Sequence, residues 1–330
     1  MAASAFSSGF YLAAFAAGAL ATWLSLPLWL RWCVRTGLMD HPGQRKIHAA
    51  PVPLAGGLAV LTGLLLPLAG AAVFLALWPG GTAVTEALAR GMSQRAVQVG
   101  AIAAGAIGIT LLGMLDDRHV MSAKRKFAGQ FAAALLVAAA DVRVSIFLPY
   151  ESLQYVVTVF WILSVINAFN FMDNMNGLCA GLGAIGAALF GALAASAGQY
   201  LVASFAFMMC GALLGFLPHN FPQARAFLGD SGSHLVGYML AVMAILPHYH
   251  RSEQTSPLAV LAPMLVLAVP LADMAWVVLL RLRMGKPFYV GDTNHLSHRL
   301  VRRGLSKRDA VLLIWLAAAA IGSLAFVPVR

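Results

Sequence analysis

The chain has 330 residues, 61% of them hydrophobic and only 10% charged, against about 25% charged in an ordinary soluble domain. So few charges cannot cover a water-soluble protein of this size, and a mean hydropathy of +0.81 points the same way. This excludes a soluble enzyme, a disordered chain and a disulfide scaffold, and it leaves a polytopic membrane protein. The net charge of +10 reads as cationic loops that orient such a protein, not as a nucleic-acid surface. Cys33, Cys179 and Cys210 have neither metal nor disulfide spacing.

A membrane-crossing helix needs about 20 mostly apolar residues. Ten segments qualify in chain order: 6–30, 52–79, 96–115, 127–140, 154–170, 177–196, 199–217, 233–247, 258–280 and 309–328. The fourth and eighth are short. Gly and Ala are abundant within the spans, as in 100–113 and 177–191, and let helix backbones pack closely; they would also allow a homodimer face. The first positive charge, Arg31, follows the first apolar run, so no signal peptide is expected. Loops 31–50, 116–126, 171–176, 218–232 and 281–308 hold 17 of the 22 Lys and Arg residues. That bias places them in the cytoplasm and both termini outside. The expectation is an all-α polytopic membrane protein: one domain over 1–330, about ten transmembrane helices, and an active site at the cytoplasmic face.

The acidic residues gather at that same face. Asp40, Asp116, Asp117, Asp173, Asp230, Asp292 and Asp309 fall there, with seven of nine histidines, and Asp273 lies in the ninth span near its cytoplasmic end. Carboxylates interleaved with Lys, Arg and His suit a metal ion and an anionic substrate.

Five segments carry this signal. Asp40-His41-Pro42-Gly43-Gln44-Arg45-Lys46-Ile47-His48 is broken into turns by Pro and Gly and offers cationic contacts. Gly113-Met114-Leu115-Asp116-Asp117 puts adjacent carboxylates at the end of an apolar helix. Their repulsion is offset either by a divalent cation or by Lys124, Arg125 and Lys126 at a solvated helix end. Asn167, Asn170 and Asp173 recur every three residues and share a helix face; a polar cavity explains that stripe better than interhelical bonding alone. Phe227-Leu228-Gly229-Asp230-Ser231-Gly232-Ser233 precedes a helix and would bring backbone N–H groups and a metal ligand to a phosphate, or simply cap the helix. In Gly291-Asp292-Thr293-Asn294-His295-Leu296-Ser297-His298-Arg299, mixed His and Arg suit a diphosphate, and His295 and His298 would share a helix face. A basic loop on anionic lipid is the plainer alternative there.

In this order and on one face, the five segments resemble the polyprenyl-phosphate N-acetylhexosamine-1-phosphate transferase family, over about residues 40–305. The resemblance implies transfer of a sugar-1-phosphate from a UDP-sugar, usually UDP-N-acetylglucosamine, to polyprenyl phosphate. The products would be polyprenyl-diphosphate-sugar and UMP. Mg²⁺, or Mn²⁺ in its place, would be the cofactor, in a bacterial inner membrane, to initiate a surface polysaccharide such as O-antigen. The other partners would be membrane lipids, and no nucleic acid. The resemblance implies catalytic roles for Asp116, Asp117 and Asp173, and metal ligation by Asp117, Asp173 and Asp230. It implies substrate contacts from Lys46, His48, Lys124, Lys126, Asn167, Asn170, Asn176, His295, His298 and Arg299. Two positions depart from the family pattern: Asn176, where many members have a second Asp, and Ser297, which interrupts the histidine cluster. The missing run of three histidines argues against the phospho-N-acetylmuramoyl-pentapeptide branch. A secondary transporter or lipid flippase is the alternative, with Asp273 as its natural coupling site; it would need carboxylates at mid-membrane.

Overall fold

A computed structural model describes residues 8–42, 50–77, 83–145, 148–246, 261–287, 289 and 292–327. Its helices are α1 (Ser8–Thr36), α2 (Gly56–Leu77), α3 (Ala83–Gln94), α4 (Ala96–His119), α5 (Ala123–Ala139), α6 (Glu151–Met172), α7 (Leu178–Ser196), α8 (Tyr200–Phe216), α9 (Gly229–Ile245), α10 (Ala262–Val266), α11 (Ala268–Arg283), α12 (Leu296–Arg302) and α13 (Lys307–Ser323). Each of the ten apolar segments overlaps a helix, because a backbone in lipid must satisfy its own polar groups. Seven helices, α1, α2, α4, α6, α7, α8 (extended to His219) and α13 (extended to Phe326), are long and apolar enough to cross a membrane. The protein is a multi-pass, helical membrane protein. Leu24, Leu66, Phe74, Phe160 and Leu316 are exposed on these helices, as lipid-facing residues must be.

Three features depart from the sequence expectation. Met39–Asp40 (β1) and Val52–Pro53 (β2) form an antiparallel hairpin, so the chain is not purely helical. The amphipathic α3 was not anticipated; twelve residues with Glu86 and Arg90 paired on one face fall below any span criterion. The ninth span is broken at Leu267 into α10 and α11.

The core is built around α9, which touches α2, α4, α6 and α7. Ser231 through Ala244 are all buried. A helix enclosed on every side needs neither a polar face nor the full span length, which explains why this segment reads as short. Two glycines set its place. A Cβ on Gly113 of α4 would overlap the Asp230–Ser231 peptide, so α4 and the start of α9 meet only because Gly113 has none. Gly229 has φ +67°, the left-handed turn that feeds α9, and lies against the Asp117 carboxylate. The hairpin joins the same region: Phe227 N–H donates to Pro53 O (2.9 Å) and Gly56 N–H to Phe227 O (2.9 Å).

Candidate active site

The C-terminal end of α4, the start of α5, the C-terminal end of α6 and the N-terminus of α9 converge. Asp117 accepts the backbone N–H groups of Asp230 (2.8 Å) and Ser231 (3.1 Å), capping α9 from a neighbouring helix. A carboxylate at a helix N-terminus contributes about 0.3–2 kcal/mol. The N–H groups expected to face a phosphate are therefore held by Asp117, and the cap comes from α4 rather than from Asp230 or Ser231. Asp116 accepts from Met121 N–H and pairs with Lys126 Nζ at 2.9 Å. Lys126 also reaches Asp230 at 2.6 Å, so one ammonium bridges two carboxylates of different helices. Asn170 donates to the other oxygen of Asp230 (2.6 Å) and to Ser233 Oγ (3.1 Å).

Beneath this layer, Asn167 donates to Gln130 Oε1 at 2.9 Å, and Gln130 lies 3.5 Å from the ring of the fully buried His234. Asn167, Gln130 and His234 thus form a second polar layer one turn below Asn170, Lys126 and Asp230. The Asn stripe ends there. α6 stops at Met172, and Asp173 is its C-cap rather than the next residue of the helix face. Its half-buried carboxylate has no hydrogen-bond or ionic partner among the described residues. Burial, then the charges of Asp230, Asp117 and Asp40, push its pKa up to about 8.

A second cluster adjoins the first through the end of α6. Ser297 Oγ donates to Asn174 Oδ1 (2.6 Å), and the Phe171 ring meets both His295 and Arg281. His295 is the N-cap of α12, so His295 and His298 straddle the helix start with ring centroids 6.3 Å apart. Asp273 fixes this corner: His295 Nδ1 lies 2.7 Å from one of its oxygens, and Leu296 N–H donates to the other (2.6 Å). Asp273, in the N-terminal half of α11, therefore orients a histidine of this second cluster. The buried Arg281 pairs with Asp292 at 2.8 Å and anchors the segment that carries the histidines. Burial raises the Asp292 pKa, but Arg281 and Asn294 N–H outweigh it and hold the carboxylate below its usual range. Burial, followed by His295 and Arg302, lowers His298, so it is neutral near pH 7.

Some anticipated contacts are not assembled. Lys124 is exposed and outside the cluster; the helical turn points Lys126 inward instead. Arg299 stacks its guanidinium 5.0 Å from the Trp276 ring centre. Asn176 donates to Pro222 O at 3.1 Å, a loop-holding bond. Lys46 and His48 lie outside the described residues. Sequence reasoning missed Gln130, Asn174, His234 and Arg281, and it placed Asp273 near the cytoplasmic face without assigning it a role in the site. The available signal was a polar side chain within or beside an apolar helix, where an unpartnered group is costly.

No three His, Cys, Asp or Glu residues converge as a ligand set among the described residues. The donor chemistry nevertheless suits a hard divalent cation. Among the described residues, Asp116, Asp117, Asp173 and Asp230 are all oxygen donors, Lys126 alone opposes them within the cluster, and the Asp173 carboxylate is unpaired.

Residues 99–248 match the model of glycosyl transferase family 4, a stretch that holds both layers of the acidic cluster. The chain is 30% identical over 311 residues to the probable undecaprenyl-phosphate N-acetylglucosaminyl 1-phosphate transferase of Bacillus subtilis (strain 168), covering 92% of this chain and 80% of that protein. It is 36% identical over 317 residues to the decaprenyl-phosphate N-acetylglucosaminephosphotransferase of Mycobacterium leprae (strain TN), covering 88% and 77%. It is 28% identical over 304 residues to the undecaprenyl-phosphate alpha-N-acetylglucosaminyl 1-phosphate transferase of Escherichia coli (strain K12), covering 88% and 76%. Similarity along nearly the whole chain, joined to the clustered motif residues, makes this protein a member of glycosyl transferase family 4.

Proposed function

We propose that the protein transfers N-acetylglucosamine-1-phosphate from its UDP-sugar to a polyprenyl phosphate, releasing UMP and leaving polyprenyl-diphosphate-N-acetylglucosamine in the membrane. The convergence of Asp116, Lys126, Asn170 and Asp230 beside Asp173, unpaired among the described residues, carries this reading: cationic and amide donors for phosphate oxygens stand among carboxylates suited to a divalent cation. The names of the relatives supply the substrate class. The reading includes ten membrane crossings, a cytoplasmic site, termini outside and a bacterial inner membrane, supported by the charge bias of the loops.

Asp117, Asp173 and Asp230 would hold Mg²⁺. When bound, the ion would neutralise charge on the donor diphosphate and on the departing UMP. The protein's own groups do the rest. Lys126, held between Asp116 and Asp230, presents an ammonium to a phosphate oxygen. His295, oriented by Asp273, and His298 contact the diphosphate. The acceptor phosphate is largely dianionic at neutral pH, with a second pKa of about 6, so in-line attack on the sugar-bearing phosphorus needs little base assistance. Both Asp117 oxygens already accept N–H groups, which makes this residue a poor attacking nucleophile.

The test is UMP release by purified protein given undecaprenyl phosphate and, separately, UDP-N-acetylglucosamine, UDP-N-acetylgalactosamine or UDP-N-acetylmuramoyl-pentapeptide. Lipid-dependent UMP from the first donor, abolished by EDTA and restored by Mg²⁺, is expected. No UMP from folded protein with any donor would overturn the proposal.

A further inference from the structure

At the opposite end of α4 from the acidic cluster, a cavity of about 290 Å³ lies among α1, α2, α3, α4, α8 and α9. Apart from Arg95, Gln98 and Ser204 its lining is apolar, and Ser204 donates to Tyr200 O within its own helix (2.6 Å). Leu88 and Met92, one turn apart on α3, close one side, while Ala17 of α1 and Ala103 of α4 leave room within it. An apolar space of this kind does not hold water, and between membrane helices its natural filling is a hydrocarbon chain. Arg95 stands at the N-cap of α4, exposed, with no ion pair among the described residues. Glu86 is paired with Arg90 (3.5 Å), leaving Arg95 as a cation beside the cavity.

We infer that this cavity binds a phospholipid with an anionic headgroup, one acyl chain inside and the headgroup phosphate on Arg95. The acceptor lipid does not satisfy both features at once. Arg95 and Asp116 are separated by 21 residues of α4, about 30 Å at 1.5 Å per residue, roughly the thickness of the hydrocarbon core. A lipid whose phosphate reacts at the acidic cluster has no second phosphate to place on Arg95. The amphipathic α3 suits the interface between headgroups and chains, with its apolar Leu88 and Met92 against the cavity.

The test is native mass spectrometry of the full chain released from vesicles containing equal phosphatidylglycerol and phosphatidylcholine. Preferential retention of one phosphatidylglycerol is expected, by about fivefold for a single Arg at the membrane surface. Arg95→Gln should abolish the preference while UMP release is unchanged. Ala103→Trp and Ala17→Trp should each remove bound lipid of both kinds; should either fail to fold by size exclusion, the other and Arg95→Gln decide. Equal retention of the two lipids, or an unchanged preference in Arg95→Gln, would overturn the inference. So would Trp variants that keep their lipid, or Trp variants that raise KM for undecaprenyl phosphate while Arg95→Gln has no effect; the latter pattern would assign the cavity to the acceptor's tail.

Discussion

Lys126 and Asp173 divide the electrostatic work of the acidic cluster. Lys126 offsets Asp116 and Asp230 at 2.9 and 2.6 Å, and its side chain is only 19% exposed. Lys126→Met leaves those carboxylates facing one another and removes a phosphate donor. UMP release should fall about 10²–10³-fold, the usual loss for one preorganised charge contact. Arg125→Met, on the exposed neighbour, should leave it unchanged. Asp173 has the opposite character: nothing among the described residues pairs it, and its pKa is raised from 3.8 to about 8. The folded state therefore favours its protonated form. The stability this contributes is fully present below about pH 4 and is lost as pH rises through about 8. A divalent cation needs the ionised form, so its apparent affinity should climb toward pH 8 and then level. Titrating Mg²⁺-dependent activity at several pH values checks this; in Asp173→Asn that pH dependence should disappear along with most of the activity. The paired aspartates and the Asn-x-x-Asn stretch were legible in the sequence. Lys126 was legible only as one of three adjacent cations, because the turn of α5 decides which of them points inward.

Helix ends, rather than helix lengths, carry the site. Asp117 caps α9, Asp173 closes α6 and His295 opens α12. Gly113 makes this possible by letting α4 meet the first peptides of α9. Gly113→Val should cost about 1–3 kcal/mol through overpacking and should separate Asp117 from the Asp230 and Ser231 N–H groups. Reduced thermal stability together with reduced UMP release is the expected pattern; full activity would mean that the capping contact does not position Asp230. The sequence marked the α9 segment only as a short span; its enclosure by four other helices follows from long-range contacts. The pairing of Met39–Asp40 with Val52–Pro53 was not legible either, since two-residue strands leave no periodic signal.

The acidic cluster and α3 stand at opposite ends of α4, and the cationic bias of the loops on the acidic side predicts the orientation of the whole molecule. Cys33, Cys179 and Cys210 are buried, so engineered cysteines can be labelled against a low background. Ser122→Cys at the acidic end and Ser93→Cys on α3 both change exposed positions. In intact cells a membrane-impermeant maleimide should label Ser93→Cys and spare Ser122→Cys; the reverse pattern would invert the topology.

Composition alone determined that this chain is a membrane protein, since too few charges are present to cover a soluble surface. Motif order pointed to the family, because the chemistry needs carboxylates, amides and cations at one face. The tertiary structure decided the pairings: Lys126 between Asp116 and Asp230, Asp117 on the α9 N-terminus, and Asp273 behind His295. These partners lie 10, 104, 113 and 22 residues apart, and local sequence does not encode which distant groups meet when helices pack.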